Sequence, residues 1–311
     1  MFWVFILNLL SAVNARKFTV SGVSAGAYMA VQLHFAHSED CVGVGVIAGG
    51  PYYCARDSQV FATTACLTSP FLINSGSLIQ YATEKNQSGD IDPLSNLKNR
   101  PVWIYAGTRD TVVNPSVGKI LNETYNYFGA KVATDFSVDS EHAWITDYWG
   151  KDCTYLGPPF INNCNFDAAG RILKYLYGHL EQKGTFNASN LFTFNQKNYG
   201  SSSSGFANTG YMYVPTGCQG SRKDTCLVHV SLHGCQMSYK YIQEDFVKYS
   251  GLNEWAERHN IIVIYPQNEK SSKNPMGCWD WWGYTGSDYA LQTGDQIYGI
   301  YKMVQELPSF S

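Results

Sequence analysis

Two short motifs near opposite ends of the chain constrain its fold more than any other feature. Gly22-Val23-Ser24-Ala25-Gly26 follows a short strand-like run at residues 18–21. Its G-x-S-x-G spacing marks a sharp strand-to-helix turn that lifts a serine hydroxyl clear of a sheet. Leu232-His233-Gly234-Cys235-Gln236 ends a second β-like run, at residues 226–232. It reads as a turn whose backbone N–H groups could hold an oxyanion. Where one sheet uses both turns, the oxyanion turn ordinarily comes earlier in the chain than the serine. Here it comes later. The order predicts a serine hydrolase whose sheet is circularly permuted.

The pattern between the motifs alternates strands with helices, as a mostly parallel sheet covered on both faces requires. Strands are predicted at residues 18–21, 41–48, 101–106, 210–214, 226–232 and 261–265. Helices are predicted at 27–35, 78–84, 117–128, 168–180, 247–259 and 293–307. The run CVGVGVIA at 41–48 is apolar and β-branched, as suits a buried parallel strand. The helix at 168–180 places Ile172, Leu173, Leu176 and Leu180 on one face. The closing helix ends where the strand into the serine turn would ordinarily begin, so the two halves complement each other. The tract Ser201–Ser204 therefore reads as a joining loop inside one domain spanning 16–311, although its composition also fits a linker. The fold class expected is an α/β-hydrolase.

A serine hydroxyl needs a base to take its proton and donors to hold the oxyanion. Ser24 is the candidate nucleophile. Asp110 follows the strand at 101–106 through Gly107, the place expected of the acid. His142, in Ser140-Glu141-His142-Ala143-Trp144, is the candidate base. The chain order Ser, Asp, His is the α/β-hydrolase order. The other histidines sit on helices, at helix ends or within a strand, and His233 is read as a structural member of its turn. Ala25 and Cys235 are the oxyanion donors through their N–H groups. No metal ligand set or cofactor is expected.

Composition narrows the setting. A net charge of −3 gives no basic footprint for nucleic acid. Charged residues make up 15%, against about 25% in ordinary soluble proteins. Aromatics also reach 15%, which points to a secreted protein working at a neutral or apolar surface. No stretch approaches the ~20 apolar residues of a membrane span. Residues 1–15 read as a signal peptide ending in Ala12-Val13-Asn14-Ala15, although no Lys or Arg precedes the apolar run. Sequons begin at Asn86, Asn122 and Asn187. The nine cysteines lack C-x-x-C spacing and suit disulfides in an oxidising compartment. Proximity in sequence pairs Cys54 with Cys66, Cys153 with Cys164 and Cys218 with Cys226. Cys235 is paired with Cys278, with Cys41 as the competing partner.

Four stretches carry a resemblance. They are Gly22-Val23-Ser24-Ala25-Gly26-Ala27-Tyr28-Met29, Ala48-Gly49-Gly50-Pro51-Tyr52-Tyr53-Cys54-Ala55, Leu232-His233-Gly234-Cys235-Gln236 and Cys278-Trp279-Asp280-Trp281-Trp282-Gly283. In this order they resemble the extracellular poly(3-hydroxybutyrate) depolymerases, most of all the single-domain, circularly permuted fungal type. The resemblance implies a triad of Ser24, Asp110 and His142, oxyanion donors at Ala25 and Cys235, and an aromatic-walled cleft that admits one polyester strand. Trp281, Trp282 and Tyr284 are the candidate substrate contacts, with Trp279 in the same run. Neighbours in an extended segment point to opposite sides, so some of these rings must pack inward. No polymer-binding segment follows residue 307, so adsorption is expected to use the catalytic surface itself. A monomer acting on polyester is expected. Two other readings share parts of this pattern: an acetyl xylan or feruloyl-type carbohydrate esterase, and a binding protein on an inactive hydrolase fold.

Overall fold

The computed structural model describes residues 15–309. The leader expected over residues 1–15 lies outside them, except for Ala15. Strands β1 (Phe18–Val23), β2 (Cys41–Ile47), β3 (Pro101–Tyr105) and β4 (Lys131–Asp135) come from the N-terminal half. A small separate sheet follows, made of β5 (Trp144–Thr146), β6 (Lys151–Asp152) and β7 (Ile161–Asn163). Strands β8 (Leu191–Asn195), β9 (Thr209–Tyr213), β10 (Leu227–Leu232) and β11 (Ile261–Tyr265) come from the C-terminal half. The main sheet has eight strands in the order β8-β9-β11-β10-β1-β2-β3-β4. All neighbouring pairs are parallel except the two made by β9.

The halves meet where β1 lies beside β10 in parallel register, Gly22 opposite Leu232. Both strands therefore end at the same edge, and the two motifs 210 residues apart in sequence become neighbours. Period-2 alternation sorts their side chains. Phe18, Val20, Val228, Val230 and Leu232 face one apolar layer. The intervening polar residues are buried too, and three of them, Thr19, Ser21 and His229, satisfy one another. Thr19 Oγ1 lies 2.7 Å from His229 Nδ1, Ser21 Oγ lies 2.8 Å from His229 Nε2, and Tyr177 Oη donates to the Val228 carbonyl at 2.8 Å. A fully buried hydroxyl or imidazole without such partners would cost about 1–3 kcal/mol.

Helices cover both faces. On one lie α1 (Ala25–Ala36), α3 (Ser75–Ser88), α4 (Pro115–Tyr127) and α9 (Asp295–Glu306), reached through the short α2 (Gln59–Thr64). On the other lie α5 (Ala168–Tyr177), α6 (Tyr239–Ile242), α7 (Asp245–Tyr249) and α8 (Leu252–His259). Every residue of α1 is buried, which explains its apolar sequence all round rather than on one stripe. Near the start of β1, Arg16 donates its N–H to Gln305 Oε1 at 2.7 Å, and Gln305 Nε2 returns a bond to the Arg16 carbonyl at 3.1 Å. The end of α9 thus lies beside the start of β1, as a permuted connection requires.

Several element boundaries depart from expectation. The helix expected over 247–259 is two helices, broken where Gly251 takes φ +82°. The helix expected over 168–180 ends at Tyr177, before Gly178 at φ +84°. The helix expected over 78–84 runs from Ser75 to Ser88, because Asn74 caps it by accepting from the Ser77 N–H at 3.1 Å and Gly89 closes it in the left-handed region. Strands β4 and β8 and the small sheet were not anticipated. The β4 sequence KVATD is partly exposed and has no continuous apolar run. The Ser201–Ser204 tract is tied down: Ser201 and Ser203 donate to Asp295 Oδ2 at 2.6 and 2.9 Å.

Four disulfides join Cys54–Cys66, Cys153–Cys164, Cys218–Cys226 and Cys235–Cys278. Cys41 is a buried free thiol. No helix among the described residues is long and apolar enough to cross a membrane.

Candidate active site

Ser24 stands between β1 and α1 with φ 56° and ψ −125°, a conformation that L-residues rarely hold. Close packing maintains it. A Cβ on Gly22 would sit 2.2 Å from the Gly26 carbonyl oxygen, and one on Gly26 would sit 2.3 Å from that of Leu232. Both positions therefore require glycine, and the second seats α1 directly on the end of β10. A Cβ on Gly234 would lie 3.3 Å from Ser24 Cβ, so the His-Gly-Cys turn is pressed against the serine. The Ala25 N–H is the first of α1 and has no intrahelical acceptor. Among the described residues the Cys235 N–H has no backbone acceptor either, while its neighbour Gln236 donates to Met276 O at 2.8 Å.

His233 holds that turn from within. Its Nδ1 lies 2.7 Å from the Gly234 carbonyl, and its Nε2 accepts from the Asn268 N–H at 3.1 Å. Burial lowers its pKa to about 4, against a smaller upward pull from the Gly234 carbonyl. The ring is thus a neutral brace. The Cys235–Cys278 disulfide then ties the turn to the tryptophan-rich segment.

Asp110 and His142 come from the loops after β3 and β4. His142 Nδ1 lies 2.8 Å from Asp110 Oδ2, with both side chains almost wholly buried. Asp110 Oδ1 accepts from the N–H groups of Val112 and Val113 at 2.9 and 2.7 Å. An ionised carboxylate only accepts, so the Nδ1 proton belongs in this bond, and Nε2 is the nitrogen left to serve a serine. Ser24 and His142 open on one cavity of about 460 Å³. Its walls include Leu67, Phe160, Met237, Met276 and Trp281. A second cavity of about 260 Å³ shares Leu67, Cys235, Met276 and Trp281 with it and adds Trp282. The two are adjoining parts of one largely apolar cleft.

The aromatic candidates divide. Trp281 is 5% exposed and stacks on Tyr28 of α1 at 4.1 Å between ring centres. Trp282 is half-buried and edges onto Trp281 at 5.7 Å. Trp279 is core. Tyr284 is not brought to the cavity beside Ser24. Its hydroxyl donates to the Cys278 carbonyl at 2.8 Å and accepts from Asn268, Asn274 and Gln296 at 2.8–3.0 Å. A tyrosine hydroxyl in an apolar loop finds partners, and here the partners turn it inward. Asp280 organises the loop by accepting from the N–H groups of Trp282, Gly283, Tyr284 and Thr285. Burial raises its pKa, and the donors from Thr285, Tyr284 and Gly283 pull it back down.

Sequence reasoning passed over several cleft residues. Thr63 and Leu67 flank the end of α2, which the Cys54–Cys66 bridge holds in place; the paired cysteines were their only trace. Leu156 and Phe160 arrive on the loop between β6 and β7 with no local signal at all. Among the described residues no group of three or more His, Cys, Asp or Glu side chains could hold a metal ion.

The sheet order, the strained serine turn and the edge on which these groups meet define an α/β-hydrolase with a circularly permuted chain. No family model matches the sequence. Comparison with known proteins places it nonetheless: the chain belongs to the poly(3-hydroxybutyrate) depolymerase family. It is 36% identical over 317 residues to the polyhydroxybutyrate depolymerase of Talaromyces funiculosus, covering 96% of this chain and 91% of that one. It is 40% identical over 302 residues to the poly(3-hydroxybutyrate) depolymerase of Delftia acidovorans and spans 60% of that protein's length. Among solved structures, a serine-to-alanine variant of a PHB depolymerase complexed with an R3HB trimer superimposes with a TM-score of 0.86. That pair is 34% identical, with 94% of this chain and 96% of the other covered. The PHB depolymerase from Penicillium funiculosum gives 0.83 at 35% identity, over 94% and 95%.

Proposed function

We propose that this chain is a secreted serine esterase that hydrolyses poly(3-hydroxybutyrate) or a related short-chain polyhydroxyalkanoate. The observation that carries the reading is the single cleft in which Ser24 and the Asp110-backed His142 open onto apolar walls. Ser24 Oγ attacks the ester carbonyl while His142 Nε2 takes its proton. The Ala25 and Cys235 N–H groups hold the oxyanion, in a site where fixed donors are worth most. His142 returns the proton to the departing alcohol and leaves a 3-hydroxyacyl ester on Ser24. Water activated by the same imidazole then releases the acid.

The apolar walls favour a polyester over a hydroxyl-rich carbohydrate ester, which would need polar groups along the cleft. Trp281 and Trp282 serve as the aromatic contacts with the strand. Four disulfides support work outside the cell. Residues 16–311 act as one permuted catalytic domain, a monomer that needs no cofactor, membrane or nucleic acid. Clearing of a polymer suspension and turnover of a soluble p-nitrophenyl ester test the reading together. Ser24→Ala is expected to lower both by at least about 10⁴-fold while leaving the melting transition in place. Substantial turnover in that variant would refute the assignment.

A further inference from the structure

The loop after β3 and the loop before β5 cross one another, and their crossing sets the distance between acid and base. Thr108 N–H donates to Val138 O at 2.9 Å, and Arg109 N–H donates to Ser140 O at 3.2 Å. A Cβ on Gly107 would lie 2.2 Å from Ser140 Oγ, so the chains touch there. Between the crossing and the imidazole stands one more carboxylate, which the hydrolytic mechanism does not use. Glu141 is 6% exposed, and it does not line the cleft. Its Oε1 accepts from the N–H of Thr111 at 2.7 Å and from the N–H of His142 at 2.8 Å. Its Oε2 accepts from Thr111 Oγ1 at 3.0 Å. Its own N–H donates to Cys153 O at 2.9 Å, anchoring it to the segment closed by the Cys153–Cys164 bridge.

One carboxylate therefore joins the residue after the acid to the backbone of the base. We infer that Glu141 is a positioning residue: it fixes the Asp110–His142 pair in register, so that the imidazole meets Ser24 without having to be ordered during turnover. Hydrogen bonds to a charged acceptor are the strong ones, and three donors converge on this one in a buried place. A misplacement of about an ångström in a base costs rate rather than affinity. Since Glu141 does not line the cleft, its loss should appear in kcat and not in KM.

The inference rests on the functional reading above, and the test separates the two. Glu141→Ala and Glu141→Gln are compared with the parent chain on a soluble p-nitrophenyl ester, and by the rate of labelling with a fluorophosphonate. Glu141→Ala is expected to lose about 10–100-fold in kcat and in labelling rate, with KM within about twofold. Glu141→Gln keeps an acceptor oxygen for both N–H groups and should recover to within about threefold of the parent. A Glu141→Ala kcat within threefold of the parent would overturn the inference, as would a glutamine variant as poor as alanine. Should Glu141→Ala fail to fold, Thr111→Val removes only the hydroxyl link, and an unchanged kcat there would count against the role. A parent that labels at Ser24 but leaves polymer intact would sink the polyester reading alone. A parent that does not label would sink both.

Discussion

Gly26 shows how little room the serine turn allows. Its Cα faces the carbonyls of Leu232 and His233, where a methyl group would stand 2.3 and 2.4 Å away. Neither carbonyl can retreat, because both belong to the strand and turn that hold Cys235. Gly26→Ala is therefore expected to cost about 1–3 kcal/mol through overpacking, and to lose esterase activity out of proportion to that cost. Thermal unfolding alongside soluble-ester turnover checks it; a variant with parental melting temperature and parental rate would contradict the packing argument. The residues at this scale divide by how local their cause is. That Ser24, Asp110 and His142 come together was legible because the first two each follow a predicted strand and the third comes after the acid, ahead of an aromatic segment. Glu141 was not, because its meaning depends on two loops crossing, and nothing in the order of residues along either loop records that. The placing of Tyr284 was hidden for a similar reason: its ring has the right chemistry for a cleft, but four polar partners hold its hydroxyl away from the cavity beside Ser24.

The segment after Cys278 behaves as one element although it has no regular structure. Asp280 gathers its backbone, the disulfide anchors its start, and Trp281 lies flat on Tyr28 one helical turn beyond Ser24. The two tryptophans should respond differently to removal. Trp281→Ala takes away the floor of the cleft and a core contact, so stability and both activities are expected to fall together. Trp282→Ala removes a half-buried face further from the serine. Contact of one large aromatic with ligand is worth about 1.5–3 kcal/mol, so polymer hydrolysis should drop roughly ten- to a hundredfold and soluble-ester turnover much less. Parallel assays on the two substrates, with melting curves, distinguish the cases; equal losses in Trp282→Ala with a lowered melting temperature would make it a core residue instead. Elements with strong apolar periodicity, such as β2, β11 and α5, were readable from sequence. Those that depend on a distant partner were not. Among the described residues β8 pairs only with β9, and α2 owes its place to the bridge between Cys54 and Cys66.

At the scale of the molecule, four of the buried histidines are held neutral by their surroundings. Burial lowers His34 and His229 to about 3, and His37 and His233 to about 4. In the unfolded chain each would titrate near 6.5. Between those values the unfolded state binds more protons than the folded one, so stability is present above about pH 6.5 and is lost as pH falls toward 4. Each such histidine contributes a slope of up to ~1.4 kcal/mol per pH unit in that window. Urea midpoints measured from pH 7.5 to 4.5 should fall steadily, and a flat profile would contradict the burial. The paired bonds between Arg16 and Gln305 carry a different consequence. They close the chain on itself in space, so the order of its strands is cyclic and the place where it opens is an arbitrary cut. A splice across that junction, with a new opening in the 201–204 loop, would leave every contact of the cleft intact while placing the serine turn after the His-Gly-Cys turn in the chain. Evolution could move the cut without redesigning the active site, because the catalytic edge of the sheet records spatial neighbours and not sequence order.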